Sequence, residues 1–151
     1  MTSVTKTTQL SIFTIVRDLL RTNSSIAARF PQSSFYEYDP KLKSNAFRGF
    51  PYIVIRTPST DTDLLTFNHT TTMKNFTIPI DLVVEYTARD KFKDYANAII
   101  STIEGGETTM EASGYYNTKI EVSDVQDDAI IDSKEVILGT FDLEVTGAIL
   151  R

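Results

Sequence analysis

Cysteine and tryptophan are missing from this 151-residue chain, and histidine occurs once, as His69. Without cysteine there is no disulfide, no thiol nucleophile and no thiolate-bound metal. A lone histidine in a Thr-rich stretch leaves little material for acid–base or triad chemistry, because those sites need a base held by further groups. Glycine is sparse, and Gly105-Gly106 follows a helical pattern rather than a strand, so it reads as a helix stop and not as a phosphate loop. Asp61/Asp63 and Asp124/Asp127/Asp128/Asp132 are the only carboxylate clusters, and neither has the glycine turn and terminal Glu of a calcium loop. These absences lead us to expect no catalytic, metal or cofactor residue, and a protein that is not an enzyme. Excess positive charge is lacking too. The net charge is -5 and the sequence pI about 4.8, which argues against a sequence-independent grip on nucleic acid. The apolar stretch from Leu10 to Leu20 is shorter than the roughly 20 residues that cross a bilayer, and Arg17 and Asp18 interrupt it. It lacks a small-residue cleavage site, so neither a membrane span nor a signal peptide is expected. The glycosylation patterns at Asn23, Asn68 and Asn75 read as chance in a Thr/Asn-rich chain.

Apolar side chains, by contrast, are plentiful: 41% of residues are hydrophobic, with nine Phe and seven Tyr. That is enough for one core, and residues 1–151 read as a single domain. Charge is unevenly spread. Residues 1–58 hold eight Lys/Arg and three Asp/Glu, and residues 119–151 hold three and eight. A solvated surface accounts for such a bias, and so does a head-to-tail contact between copies, basic part against acidic part.

Periodicity locates the elements. Ile12, Ile15, Val16, Leu19 and Leu20 form a helical stripe over Thr8–Arg21, ended by Asn23-Ser24-Ser25. Residues 26–50 are aromatic-rich but irregular, with a short strand near Phe35–Tyr38. Pro51–Arg56 reads as a buried strand, and Leu64, Leu65 and Phe67 suggest a hairpin strand. The longest signal starts at Phe76. Phe76, Ile78, Ile80, Leu82, Val84 and Tyr86 alternate with Thr77, Pro79, Asp81, Val83 and Glu85, so one face of a strand is buried. Pro79 cannot donate to a ladder, which predicts a sheet edge or a bulge there. After Thr87 the spacing becomes helical: Phe92, Tyr95, Ala96, Ile99, Ile100 and Ile103, opened by the capping box Thr87–Asp90 and closed at Gly105-Gly106. A strand over Thr118–Val125 and a long one-sided strand over Lys134–Leu150 complete the set. The pattern predicts an α+β fold: an antiparallel (mixed) β-sheet with two packed α-helices and long β-hairpin or loop extensions.

The segments QLSIFTIVRDLL, FPYIVIRTP, KNFTIPIDLVVEYTARDKFKDYANAIISTIE and KEVILGTFDLEVTGAI, in that order, resemble the tail terminator (tail completion) proteins of long-tailed bacteriophages. The resemblance implies a structural viral protein that forms a hexameric ring. Such a ring caps the tail tube, stops its polymerisation and offers a head-to-tail joining surface. It implies as partners further copies of the chain, the tail tube protein and the neck or connector proteins. DNA would pass through the lumen without specific binding, no membrane would be involved, and the location would be the tail or neck of the virion after assembly in the host cytoplasm. A closed ring needs a heterologous interface. Arg17, Arg21, Arg48 and Arg56 are the candidate basic face, and Asp124, Asp127, Asp128 and Asp132 the candidate acidic lumen or interface. The residues leave open a neck or head-completion adaptor, a tail tube-related component, a small α+β ligand-binding or dimerisation domain, and a hydrolase built on a carboxylate pair.

Overall fold

A computed structural model describes residues 9–30, 35–36, 50–60, 65–68, 71–131 and 133–150. Two helices open the chain, α1 (Gln9–Thr22) and α2 (Ser24–Arg29). Four strands follow: β1 (Phe35–Tyr36), β2 (Tyr52–Ile55), β3 (Ser59–Thr60) and β4 (Leu65–Asn68). Then come the 15-residue β5 (Thr71–Glu85), a 3-10 segment (Tyr86–Lys91), α3 (Phe92–Gly105) and α4 (Glu107–Ala112). The chain ends in a hairpin of two 17-residue strands, β6 (Tyr115–Ile131) and β7 (Lys134–Leu150). The strands form one sheet in the order β1-β2-β5-β7-β6, with β3 and β4 also paired to β5. Among the described residues only the β1–β2 pair is parallel. This is the expected α+β architecture, with two short helices, α2 and α4, added to the two long ones.

The helices lie on one face of the sheet because their apolar stripes match its pleat. Ile12, Val16 and Leu20 of α1 and Ala96, Ile99 and Ile103 of α3 recur at helical spacing and are buried. They meet Phe76, Ile78, Ile80, Leu82 and Val84 of β5, with Ile53 and Ile55 of β2 and Phe141, Leu143 and Val145 of β7. Each fully buried aliphatic or aromatic side chain contributes roughly 1.5–3 kcal/mol, so this core dominates stability. Asn23 does more than end α1. Its Oδ1 accepts from the backbone N–H of Ser25 and Ile26 at 2.9 and 3.2 Å and so caps α2. Gly106 permits close helix approach: a Cβ there would sit 2.7 Å from Leu19 Cδ1 of α1. Gly139 of β7 similarly makes room for the Phe92 ring, whose Cζ would lie 2.6 Å from an added Cβ.

Four expectations need correction or refinement. Pro79 does not lie at a sheet edge but at an irregularity in the ladder: on the β2 side of β5 the register shifts by one residue between Ile55↔Ile80 and Ser59↔Thr77. β5 is flanked by β2 and β7, and its register with β7 runs unbroken from Thr71↔Leu150 to Glu85↔Val136. The Pro79 carbonyl accepts from Arg56 N–H at 2.9 Å. The nitrogen and carbonyl of a strand residue point to the same side, so the missing N–H faces the place where β2 has just ended, at Ile55. The ladder to β7 loses nothing. Second, Thr87–Asp90 is no capping box: it lies inside the 3-10 segment, and α3 starts at Phe92 without a side-chain cap. Third, Gly105-Gly106 ends α3 as expected, but the short helix α4, which the spacing did not predict, begins directly after it at Glu107. Fourth, β5 is not buried on one face alone. Val83 and Asp81 on the other face are 2% and 3% exposed, and Val83 joins Tyr52, Val54, Ile131 and Val136 in a second apolar cluster.

Candidate subunit interface

The β6–β7 hairpin is longer than its periodicity suggested, because the Asp127–Ile131 stretch continues β6 instead of ending it. Among the described residues β6 closes one end of the sheet and β1 the other. Residues 121–128 of β6 are all exposed, on both faces of the strand. Three register shifts against β7 interrupt the pairing, between Tyr116 and Lys119, Val122 and Asp124, and Gln126 and Ala129. Asn117, in the first of them, has a left-handed φ of 57°. Bulges and charges are the usual devices that keep a long edge strand from pairing indiscriminately.

The register sorts the exposed side chains by chemistry. Directly opposed residues of an antiparallel pair share a face. Val122 opposes Phe141, Val125 opposes Gly139 and Ile130 opposes Glu135, so all three point to the helix side of the sheet. There the core stripe of Tyr115 and Ile120 continues outward past the helices. Val122, Val125 and Ile130 remain 46%, 49% and 70% exposed. Glu121 opposes Asp142, Asp124 opposes Thr140 and Lys119 opposes Glu144 on the other face. The exposed middle of the hairpin, residues 119–125, is therefore apolar towards the helix side and mainly acidic towards the other, while Ala129, Ile131, Val136 and Leu138 near its turn pack into the second apolar cluster on that other face.

The predicted acidic residues divide accordingly. Asp124 lies in the open-face row, beside Glu121, Asp142 and Glu144, which sequence spacing had not grouped with it. Asp127 and Asp128 share one bulge and are exposed. Asp132 lies outside the described residues. Lys119 is held above its ordinary pKa, first by its hydrogen bond to Glu121 and then by the charges of Glu121 and Glu144. Beside Lys119 a polar groove of about 260 Å³ opens between Asn75, Thr77, Asn117, Glu144 and Thr146. The Thr146 hydroxyl donates to Asn75 Oδ1 at 2.9 Å within it. Among the described residues no group of three or more His, Cys, Asp or Glu side chains could hold a metal ion. His69, Asp61 and Asp63 lie outside them.

The predicted basic residues do not form one face. Arg17 and Arg21 sit one turn apart on α1. Arg17 Nε is 3.4 Å from Asp18 Oδ1. The Arg21 guanidinium lies 6.0 Å from the Phe35 ring centroid, over β1, and its Nε is buried without a hydrogen-bond partner. Arg56, grouped with Arg17 and Arg21 by the sequence, is engaged within its own subunit. Its guanidinium pairs with Asp81, Nε to Oδ2 at 2.5 Å, while the Thr140 hydroxyl donates to Asp81 Oδ1 at 3.1 Å. A buried carboxylate in a strand otherwise rich in aliphatics needs such partners, and Arg56 and Thr140 supply them. Arg48 lies outside the described residues. Sequence reasoning missed Arg29, which ties α2 to α3 through both carboxylate oxygens of Asp94, at 2.7 and 3.0 Å. Its only signal was a cation 65 positions from its partner, which spacing cannot reveal.

No protein-family model and no curated protein matches the chain. Among the described residues no helix is long and apolar enough to cross a membrane.

Proposed function

We propose that this chain is a structural assembly protein of the tail-terminator type: it forms a ring, hexameric by the resemblance, that caps a phage tail tube, stops its growth and presents a joining surface to the neck. In this reading it is not an enzyme, its partners are its own copies, the tube protein and the connector proteins, and its place is the tail or neck of the virion. The observation that carries the reading is the β6–β7 hairpin. A 17-residue edge strand whose residues 121–128 are exposed on both faces, with aliphatic side chains on one of them, is surface built for contact. A fold whose sheet has two dissimilar ends suits a heterologous, closing interface. The acidic open face, with Glu121, Asp124, Asp142 and Glu144, suits a channel wall that DNA phosphates slide past without sticking.

Imaging of the purified full chain by negative stain tests the reading. A closed ring with a central hole is the expected result, and addition of such rings to growing tail tubes should stop elongation. Rings found on connectors and not on tubes would move the assignment to a neck adaptor. A monomer or two-fold dimer that leaves tube growth unchanged would refute it.

A further inference from the structure

The polar groove beside Lys119 plays no part in the ring reading. We propose that it is a binding site for one neutral sugar unit, a ring bearing several hydroxyls, with the exposed side chain of Tyr116 as its apolar wall.

The groove is built at a fault in the hairpin. β6 carries one residue more than β7 between Tyr116↔Thr146 and Lys119↔Glu144, and Asn117, with its φ of 57°, lies in that bulge. Bulges often re-aim a side chain beside a binding site. Here Asn117 of β6 joins Asn75 and Thr77 of β5 and Glu144 of β7 in one lining. The lining is polar and largely uncommitted. The Thr146 hydroxyl donates to Asn75 Oδ1, which leaves the Asn75 Nδ2 group as a donor. Among the described residues the Asn117 amide and the Thr77 hydroxyl have no hydrogen-bond partner. Glu144 adds acceptors, while the Lys119 ammonium is already bonded to Glu121, 3.1 Å away.

That mixture selects the ligand. An anion would meet Glu121 and Glu144 with Lys119 already paired, so phosphates and carboxylates are disfavoured. A metal ion finds no group of three or more His, Cys, Asp or Glu side chains among the described residues. An apolar molecule would strand the amides and the hydroxyl without water. A sugar hydroxyl both gives and accepts a hydrogen bond, and the groove offers amide donors beside amide and carboxylate acceptors. A sugar ring also has an apolar C–H face. Tyr116 opposes Thr146 on this side of the hairpin and is 44% exposed, so its ring is placed to receive that face. The volume of about 260 Å³ lies just under the roughly 300–1,000 Å³ of pockets for drug-sized ligands, which suits a single ring. The carboxylates that would turn DNA phosphates away leave a neutral ligand unopposed.

Saturation-transfer NMR on the full chain, in whatever assembly state it adopts, tests this. Glucose, galactose, mannose and N-acetylglucosamine are the probes, each as the free sugar and as its methyl glycoside. At least one should receive saturation in a concentration-dependent way, and inorganic phosphate should not displace it. Binding of either form supports the site, and their ratio separates a soluble sugar from the end of a glycan chain. Asn117→Gly removes the amide but keeps the left-handed backbone. Asn117→Gly and Tyr116→Ala, each checked for folding by circular dichroism, should weaken binding about 3- to 10-fold, the worth of one hydrogen bond or one ring contact. Val122→Lys, on the opposite face of the same hairpin, should leave binding unchanged. No transfer to any of these sugars, displacement by phosphate, or equal binding by both groove variants and the unaltered chain would overturn the proposal. A chain that binds sugar yet forms no ring would keep this site and lose the ring.

Discussion

Replacing Arg56 with Ala should destabilise the protein well beyond what a surface arginine contributes. The pair it forms with Asp81 is asymmetric: the Arg56 side chain is 55% exposed and that of Asp81 only 4%. Removing one member of a fully buried ion pair costs about 3–5 kcal/mol, because the remaining charge is stranded. Exposed pairs are worth about 0–1 kcal/mol. Here water can reach the cation but hardly the anion, and Thr140 still donates one hydrogen bond to Asp81 after the arginine is gone. We therefore expect a loss of about 2–3 kcal/mol for Arg56→Ala, between those limits. Thr140→Val should cost about 1.5 kcal/mol, as loss of a hydrogen bond to a charged group. Asp81→Asn removes the charge that Arg56 answers. On that background Arg56→Ala should cost less than about 1 kcal/mol, leaving a coupling energy of about 1–2 kcal/mol. Urea denaturation of the four proteins of the cycle at neutral pH measures these terms, with equal m-values required for the comparison. If Arg56→Ala costs less than about 0.5 kcal/mol, or the two changes simply add, Asp81 does not depend on Arg56 and the account of this face is wrong.

Ile99→Ala should cost about 2–5 kcal/mol and Phe141→Ala about 3–5, since both side chains are fully buried in the helix-side core; a shift under about 0.5 in urea melts would contradict that placement. Gly106→Ala should destabilise by about 1–3 kcal/mol, because the new methyl meets Leu19 of α1, and Leu19→Ala in the same chain should recover part of that loss. Asp94 is held below its ordinary pKa of 3.8, first by its hydrogen bond from Arg29 and then by the charge of that residue, with desolvation opposing both. A depressed carboxyl stabilises the fold above its unfolded value and loses that contribution as pH falls through its folded value. An NMR titration should find Asp94 protonating below the ordinary range, and Arg29→Ala should move it back up; no movement would break the link between α2 and α3.

The sequence made the helix-side core readable because that core is written in local periodicity. Phe76 to Val84, Ile99 and Ile103, and Phe141 to Val145 face inward as their spacing predicts. What spacing could not show was anything set by the neighbour across the sheet. Pro79 left a sheet edge and a bulge both open because a single strand does not reveal on which side its partner stops. Val83 and Asp81 looked solvent-facing because Tyr52, Arg56, Val136 and Thr140 approach them from distant positions. The Asp127-Asp128 pair fell beyond the expected end of the strand at Val125 because charge and bulge both mask the alternation of a strand. The charge asymmetry was visible in the composition, but the gathering of Glu121, Asp124, Asp142 and Glu144 on one face of the hairpin needed the strand register. The sequence grouped four arginines; the fold keeps Arg17 and Arg21 at one corner and spends Arg56 on Asp81.

The central claim is assembly of several copies into a closed ring that uses the exposed β6–β7 hairpin. The mass and shape of the purified chain, by light scattering and negative-stain imaging of one preparation, test it most directly. The account predicts a closed ring of several copies with a central hole, dispersed to monomers by Val122→Lys with Val125→Lys. A chain that stays monomeric as its concentration rises, or a two-fold dimer, would contradict it.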